Sequence, residues 1–293
     1  MLMPRSSQAR KAELRLNLER GKACRQDMTA VAEVKQNVSG MQVDITMTII
    51  CDINYLVKSY DAGVYSMDIT YQRLRMEMDI PYSGLVVLDT DDLEGNPASG
   101  MLAGMLDKPL ATLMDNKGKV LEMKGFEEMF ESMFEQMPEL GEEQKQQVRQ
   151  QFESQYGEDN FKRNFEMAMA MYPDHAVAPG DKWTVNSAIS SGMVATVSTE
   201  FEFVEQTKAY NIIKGVSVIN TVPDEYVDMG GAKIKYDLTG TMTSDIKVDA
   251  ATGWVIESVI RQEIAGDAFI QAGPTGEMKS EMQMINDMVV LGE

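Results

Sequence analysis

Apolar residues occupy every second position from Val43 to Val57: Val43, Ile45, Met47, Ile49, Cys51, Ile53, Tyr55 and Val57, separated by residues such as Asp44, Thr46, Thr48, Asp52 and Asn54. Successive side chains of a strand point to opposite faces, so this period predicts a long strand with one buried face. The following run carries Tyr65, Met67, Ile69 and Tyr71 on one parity and Leu74, Met76, Met78 and Ile80 on the other. A single extra residue produces such a switch, which predicts a β-bulge near Gln72–Arg73.

The C-terminal part alternates in the same way. Met193, Ala195, Val197, Phe201 and Phe203 form one run and Tyr210, Ile212, Val216, Val218 and Val222 the next. Ile234, Tyr236, Leu238, Met242, Ile246 and Val248 lead into a turn at 250–253, and Trp254, Ile256, Ile260 and Ile264 return from it. A last strand is expected over Met278–Val290. Long strands joined by short turns such as Met229-Gly230-Gly231 imply an antiparallel meander.

The middle of the chain changes period. Phe126, Met129, Phe130, Met133, Phe134 and Met137 recur at helical spacing, with Glu127, Glu128, Glu131 and Glu135 between them. Further helices are expected over Gly141–Tyr156 and Asp159–Tyr172, the last ending before Pro173. The two β-rich parts also resemble each other. Gly21-Lys22-Ala23-Cys24 parallels Gly180-Asp181-Lys182-Trp183. Asn54–Lys58 followed by Tyr65 parallels Glu202–Glu205 followed by Tyr210. Asp115, Gly118, Val120 and Glu122 match Asp249, Gly253, Val255 and Glu257. The expected fold is therefore β-rich α+β: a long curved antiparallel sheet built from two related β-units. One domain is expected over 12–293, with β-units at 12–124 and 176–293 around a helical insert at 125–175.

Composition narrows the partners. The net charge is −19, from 46 acidic and 27 basic residues, and 125–160 alone holds ten acidic against two basic. Such a charge repels polyanions, so nucleic acid and bare anionic lipid surfaces are not expected partners. No apolar run reaches the roughly 18 residues that mark a membrane-spanning helix. Residues 1–11 are polar and basic without an apolar stretch, although Ser7-Gln8-Ala9 has the small-x-small pattern of a signal-peptidase site. They are expected to be a disordered leader or the remnant of an export signal. Cys24 and Cys51 leave two readings open, one disulfide or two buried thiols.

Catalysis needs positioned acids, bases or nucleophiles, and few candidates stand out. The single histidine, His175, lies in a loop-like stretch before Pro179-Gly180. No Gly-x-Ser-x-Gly elbow, phosphate loop or His-Glu-x-x-His helix is present. Asp89, Asp91, Asp92 and Glu94 before Gly95 suggest a calcium loop, but Leu93 holds the fifth position and no glutamate holds the twelfth. Met167, Met169 and Met171, with Met282 and Met284, suggest thioether binding of Cu(I). Methionine, of which there are 25, equally fills irregular cores and adaptable apolar surfaces. The chain is expected to be no enzyme, with no cofactor and no metal.

Three segments carry a family resemblance: Lys11–Lys22, Asp115–Gly125 and Pro179–Trp183. They resemble an uncharacterised exported-protein family common in Bacteroidetes, a domain of unknown function, over nearly the whole chain from Lys11. The resemblance implies a periplasmic or envelope location and supplies no catalytic residues. A curved antiparallel sheet with helices over its mouth also looks like the periplasmic lipoprotein-carrier fold. The expected function is non-enzymatic binding of a hydrophobic ligand or lipid-like group on the sheet. The candidate ligand-binding residues are Phe126, Met129, Phe130, Met133, Phe134 and Met137, on a helix acting as a lid. The alternative is a structural or interaction module of the envelope, contacting another envelope protein, with a filled core and no small ligand.

Overall fold

A computed structural model describes residues 11–38, 40–81, 84–94, 96, 98–136, 141–146, 149, 158–189, 192–229, 232–272 and 276–293. The first half contributes β1 (Ala23–Val38), β2 (Met41–Asp61), β3 (Val64–Ile80), β4 (Gly84–Asp89), β5 (Leu110–Asp115) and β6 (Val120–Lys124). The second contributes β7 (Lys182–Ile189), β8 (Ala195–Gln206), β9 (Tyr210–Thr221), β10 (Tyr226–Met229), β11 (Ala232–Asp249), β12 (Val255–Ala272) and β13 (Gly276–Gly292). Among the described residues, the helices are α1 (Ser99–Ala103), α2 (Phe126–Glu135) and α3 (Glu158–Met169), with a further helical stretch at 142–146.

All strands join one 13-stranded sheet in the order β6-β5-β3-β2-β1-β13-β12-β11-β9-β8-β7, with β4 on β3 and β10 on β11. Every strand pairing within it is antiparallel, and consecutive strands are mostly neighbours, as the alternating runs predict. The exceptions are β3 with β5, β9 with β11, and the long-range seam of β1 with β13, where Gln26–Val38 pair with Ser280–Gly292 and tie the two parts of the chain into one sheet.

The bulge falls where the parity switch predicts it. Ile53 pairs with Tyr71 and Asp52 with Arg73, leaving Gln72 unpaired. That extra residue brings Tyr65, Met67 and Ile69 onto the same face as Leu74, Met76 and Met78. The tight β2–β3 turn places Ala62 at φ 49° and Gly63 at φ 88°, the two positive values that match the twist of a hairpin.

The sheet curls strongly. Laid flat, β6 and β7 would stand ten strand spacings apart, roughly 48 Å at about 4.8 Å each. Yet α3 packs against both, and a helix is only about 10–12 Å across with its side chains. Residues 12–18 reinforce this closure as an irregular strap. Ala12 exchanges hydrogen bonds with Val177, Leu16 N donates to the Asn116 carbonyl at 2.8 Å, and Asn17 N donates to the Thr252 carbonyl at 2.7 Å. The β5–β6 and β11–β12 turns, several strands apart in the sheet, are thus bound by adjacent residues.

The main core fills this end of the trough. Leu14, Leu16 and Leu18 of the strap pack with Tyr55, Tyr65, Met67, Met114, Phe203 and Trp254. The Tyr65 hydroxyl accepts from Leu18 N at 3.0 Å and donates to the Leu16 carbonyl at 3.1 Å. Helix α3 is shorter than expected, ending at Met169 instead of Tyr172. Residues beyond it make tertiary bonds: Trp183 Nε1 donates to the Met171 carbonyl at 2.8 Å and the Tyr172 hydroxyl to the Gly253 carbonyl. Pro173 also disfavours helical backbone in the residue before it. Of the helix expected over Gly141–Tyr156, 142–146 are helical, and most of the remainder lies outside the described residues. Strand β7, which the Gly180–Trp183 opening of the second β-unit leads into, forms an outer edge beside β8.

Candidate functional site: a methionine-lined trough and its cavity

Inward positions of adjacent strands form continuous rows, because residues directly opposite in a ladder share a face. One row runs Ser244–Ile260–Met288–Ala30–Ile49–Met76–Leu88 across β11, β12, β13, β1, β2, β3 and β4. The next runs Ala32–Met47–Met78–Val86 across β1, β2, β3 and β4. Met28, Ala30, Ala32, Val34, Ile45, Met47, Ile49, Met76, Met78, Met284 and Met288 are all only half-buried. The inner wall therefore passes from a packed core at the strap end to an incompletely covered apolar surface rich in thioether side chains.

Where α3 and the residues after it cross this wall they roof a cavity of about 390 Å³. Met167, Met169 and Met171 form the roof, with Val185, Phe201, Met242, Ile246, Val255, Ile260, Met288 and Val290 below. Polar lining comes from Gln26, Asn186, Ser187, Thr199, Ser244 and Ser258, and the charged lining residues are Arg163 and Glu166 of α3. Gln26 Oε1 accepts from the Tyr55 hydroxyl at 2.8 Å, and Thr199 and Ser217 share a hydrogen bond of 2.8 Å.

The residues proposed from the sequence lie elsewhere. Phe126, Met129, Phe130 and Met133 are buried in the main core, with Phe134 packed against it. Phe126 meets Phe130 edge-on at 4.8 Å and Phe130 stacks on Phe134 at 6.3 Å. Met137 lies outside the described residues. None of the six lines the cavity. Helical spacing identified an apolar face without saying which surface it would cover, and α2 covers the core beside α1. The cavity is lined instead by 167–171, whose alternating methionines resemble a soft-metal motif in sequence. Met242 and Ile260 were placed on the apolar parity of their strands without being assigned to a site, and Met288 shares that even parity on β13.

The other motifs resolve into structure. Asp89 is buried, pairs with Arg75 and Arg73, and accepts from Asp91 N at 3.0 Å, while Asp91 binds Arg73 at 2.7 Å. Burial opposes ionisation of Asp89, but these hydrogen bonds and cations outweigh it and hold the carboxyl below its ordinary range. Its oxygens are committed to arginines. Met282 and Met284 pack against the cluster around Ile189 and Val197. His175 is exposed. Cys24 and Cys51 are free thiols, the second buried. Burial pushes Cys51 up to about 12 and drives Tyr55, Tyr71 and Tyr172 above the usual tyrosine value.

Among solved structures, lipovitellin, from a study of its lipid–protein interactions, aligns at 7% identity and a TM-score of 0.46 over 93% of this chain. This chain spans 25% of the lipovitellin chain. An outer membrane channel from Pseudomonas putida F1 aligns over all of both chains at 7% identity and a TM-score of 0.29. A DUF1329 family protein from Desulfovibrio piger aligns at 8% identity and a TM-score of 0.13, covering 91% of this chain and 83% of that one. These likenesses are too distant to carry function across. No curated protein matches the chain. A family model matches residues 62–255, so it takes in the Asp115–Gly125 and Pro179–Trp183 segments but not Lys11–Lys22. That match spans more than half of the 293 residues, and the chain belongs to DUF6263, a family of unknown function.

Proposed function

We propose that this protein is a non-enzymatic component of the cell envelope that binds a hydrophobic, lipid-like molecule in the trough of its curved sheet. The observation that carries this reading is the half-buried, methionine-rich inner wall continuous with a cavity of about 390 Å³. Ligand cavities run from about 300 to 1,000 Å³ and are mostly apolar with a few polar groups. Unbranched thioether chains repack around varied apolar shapes, which suits such a wall.

Two further features support it. Outward positions carry ion pairs, including Lys214–Asp245 at 2.7 Å, Arg261–Asp287 at 3.0 Å and Lys182–Glu200 at 2.7 Å. A convex surface of this kind suits water, whereas charged side chains facing lipid destabilise a membrane barrel. The buried thiol of Cys51 and the buried phenols of Tyr55 and Tyr172 are shifted so as to stay neutral near pH 7, and the buried carboxyl of Asp89 is held ionised by arginines, so none of these is poised for proton transfer. The alternative, an envelope interaction module without a small ligand, draws support from the filled core at the strap end. The readings diverge at the half-covered wall.

Titration with the uncharged probe N-phenyl-1-naphthylamine, which brightens in apolar surroundings, separates them. We expect saturable binding that weakens several-fold in Met288→Lys while circular dichroism stays unchanged. Phe130→Ala should instead cost about 2–5 kcal/mol of stability, as in packed cores, and leave probe affinity nearly intact. A folded wild-type protein without saturable binding refutes the carrier reading.

We also read the two half-sheets as copies of one unit around the helical segment. Strands β1, β2, β3, β5 and β6 succeed one another in the sheet as β7, β8, β9, β11 and β12 do. At the matched turns Asp115 Oδ1 accepts from Lys117 N and Lys119 N, and Asp249 Oδ1 from Ala251 N and Thr252 N.

A further inference from the structure

The polar groups of the cavity floor say which class of lipid fits, an inference that rests on the carrier reading above. Ser244 and Ser258 are each 6% exposed, line the cavity, and have no side-chain hydrogen-bond partner among the described residues. They are diagonal neighbours, since Ser244 pairs with Ile260 and Ser258 with Ile246 across β11 and β12. Such diagonal positions lie roughly 7–8 Å apart, a span that the oxygens of one small head group can bridge. Space for Ser244 is built into the sheet. Its partner is Gly215, where a Cβ would sit 2.4 Å from the Ser244 Oγ.

Their oxygens are not sealed off, since neither is among the buried unpartnered side-chain atoms of the described residues; a ligand that displaces water from these hydroxyls must therefore replace its hydrogen bonds or lose affinity. Hydroxyls also donate and accept, so they satisfy an ester carbonyl or an alcohol equally. They do not neutralise a charge. The charged lining residues, Arg163 and Glu166, are of opposite sign and belong to the roof helix, and the protein carries −19 overall. A carboxylate or phosphate brought to Ser244 and Ser258 would be desolvated in a lining where Glu166 offsets Arg163, against a repulsive long-range field. The aliphatic and thioether row Ile260–Met288–Ala30–Ile49–Met76 leads away from Ser244 into the half-covered trough, giving an attached hydrocarbon chain a path. We propose that the ligand is an uncharged single-chain acyl ester, with its ester and alcohol oxygens at Ser244 and Ser258 and its chain along the methionine wall.

The test is displacement of N-phenyl-1-naphthylamine from the full chain by four competitors sharing one hydrocarbon length: monoolein, methyl oleate, oleate and octadecene, each below its aggregation concentration. Monoolein should displace the probe at about tenfold lower concentration than octadecene or oleate, the effect of one or two net hydrogen bonds. Methyl oleate should fall between, because it keeps the neutral ester but loses the alcohols. In Ser244→Ala/Ser258→Ala the advantage of monoolein over octadecene, taken as a ratio on the same variant, should shrink to less than about threefold. Oleate equal to or better than monoolein in the wild-type chain overturns the proposal, whatever the folding of the variant. So does a folded double variant that keeps the full monoolein advantage. Probe binding without head-group preference defeats this inference alone, whereas absence of saturable probe binding defeats the carrier reading with it.

Discussion

Cys24 pairs with Tyr55, and Cys51 with Met28, on the facing strands β1 and β2. The thiols are therefore four residues out of register, about 13 Å along a strand, beyond the roughly 7 Å limit between Cα atoms for a disulfide. Alternation put both cysteines on strands without giving the register that keeps them apart. Cys51 is 2% exposed and Cys24 is only half-buried. A thiol reagent should label Cys24 in the folded protein and Cys51 only after unfolding; equal rates would contradict this burial. Burial holds Cys51 up to about 12, against about 8.5 in an unfolded chain. The native state then keeps a proton that the unfolded state loses, so this group's contribution is intact below pH 8.5 and declines as pH rises toward 12. Urea midpoints should fall between pH 8 and 10, and less steeply in Cys51→Ala.

At the scale of elements, the paired Asp-to-Gly turns show where glycine is indispensable. Gly118 and Gly253 have φ of 90° and 69°. A Cβ on Gly118 would lie 2.1 Å from the Met169 carbonyl oxygen, and one on Gly253 equally close to that of Arg15. Gly180 has a similar φ of 93° with nothing within 4 Å. Alanine at Gly180 should cost about 1–2 kcal/mol from the left-handed backbone alone, and at Gly118 or Gly253 distinctly more, measured by urea denaturation. Equal costs at all three would mean that the strap and the α3 end do not pack on these turns. The turns themselves were legible from sequence. Their role as docking points was not, because their partners lie far along the chain. The bulge at Gln72 was fully legible, since a parity switch is a local property.

For the whole molecule, closure rests on a strap with no regular secondary structure. Leu14 and Leu16 are 4% and 2% exposed, and the backbone of Leu16 and Asn17 binds both hairpin turns. Leu16→Ala should cost about 2–5 kcal/mol, the range for large-to-alanine changes in a packed core. It should also raise hydrogen-exchange rates at the β5–β6 and β11–β12 turns before those of β1 and β13. His175→Ala, in an exposed loop, should stay within about half a kcal/mol of wild type.

The sequence alone determined what is local: which residues face together, where strands turn, where a residue is inserted, and where the period shifts from two to helical. These follow from backbone geometry, which repeats every few residues whatever the rest of the chain does. The tertiary structure decided what depends on distant partners: the β1–β13 seam, the curl that lets α3 reach both edge strands, and the strap across the turns. It also decided where the cavity lies. Helix α2 and the 167–171 segment both display methionines, and only the curvature of the sheet selects which packs into the core and which roofs a cavity. Burial is a property of what arrives opposite a face, and no periodicity within the face encodes it.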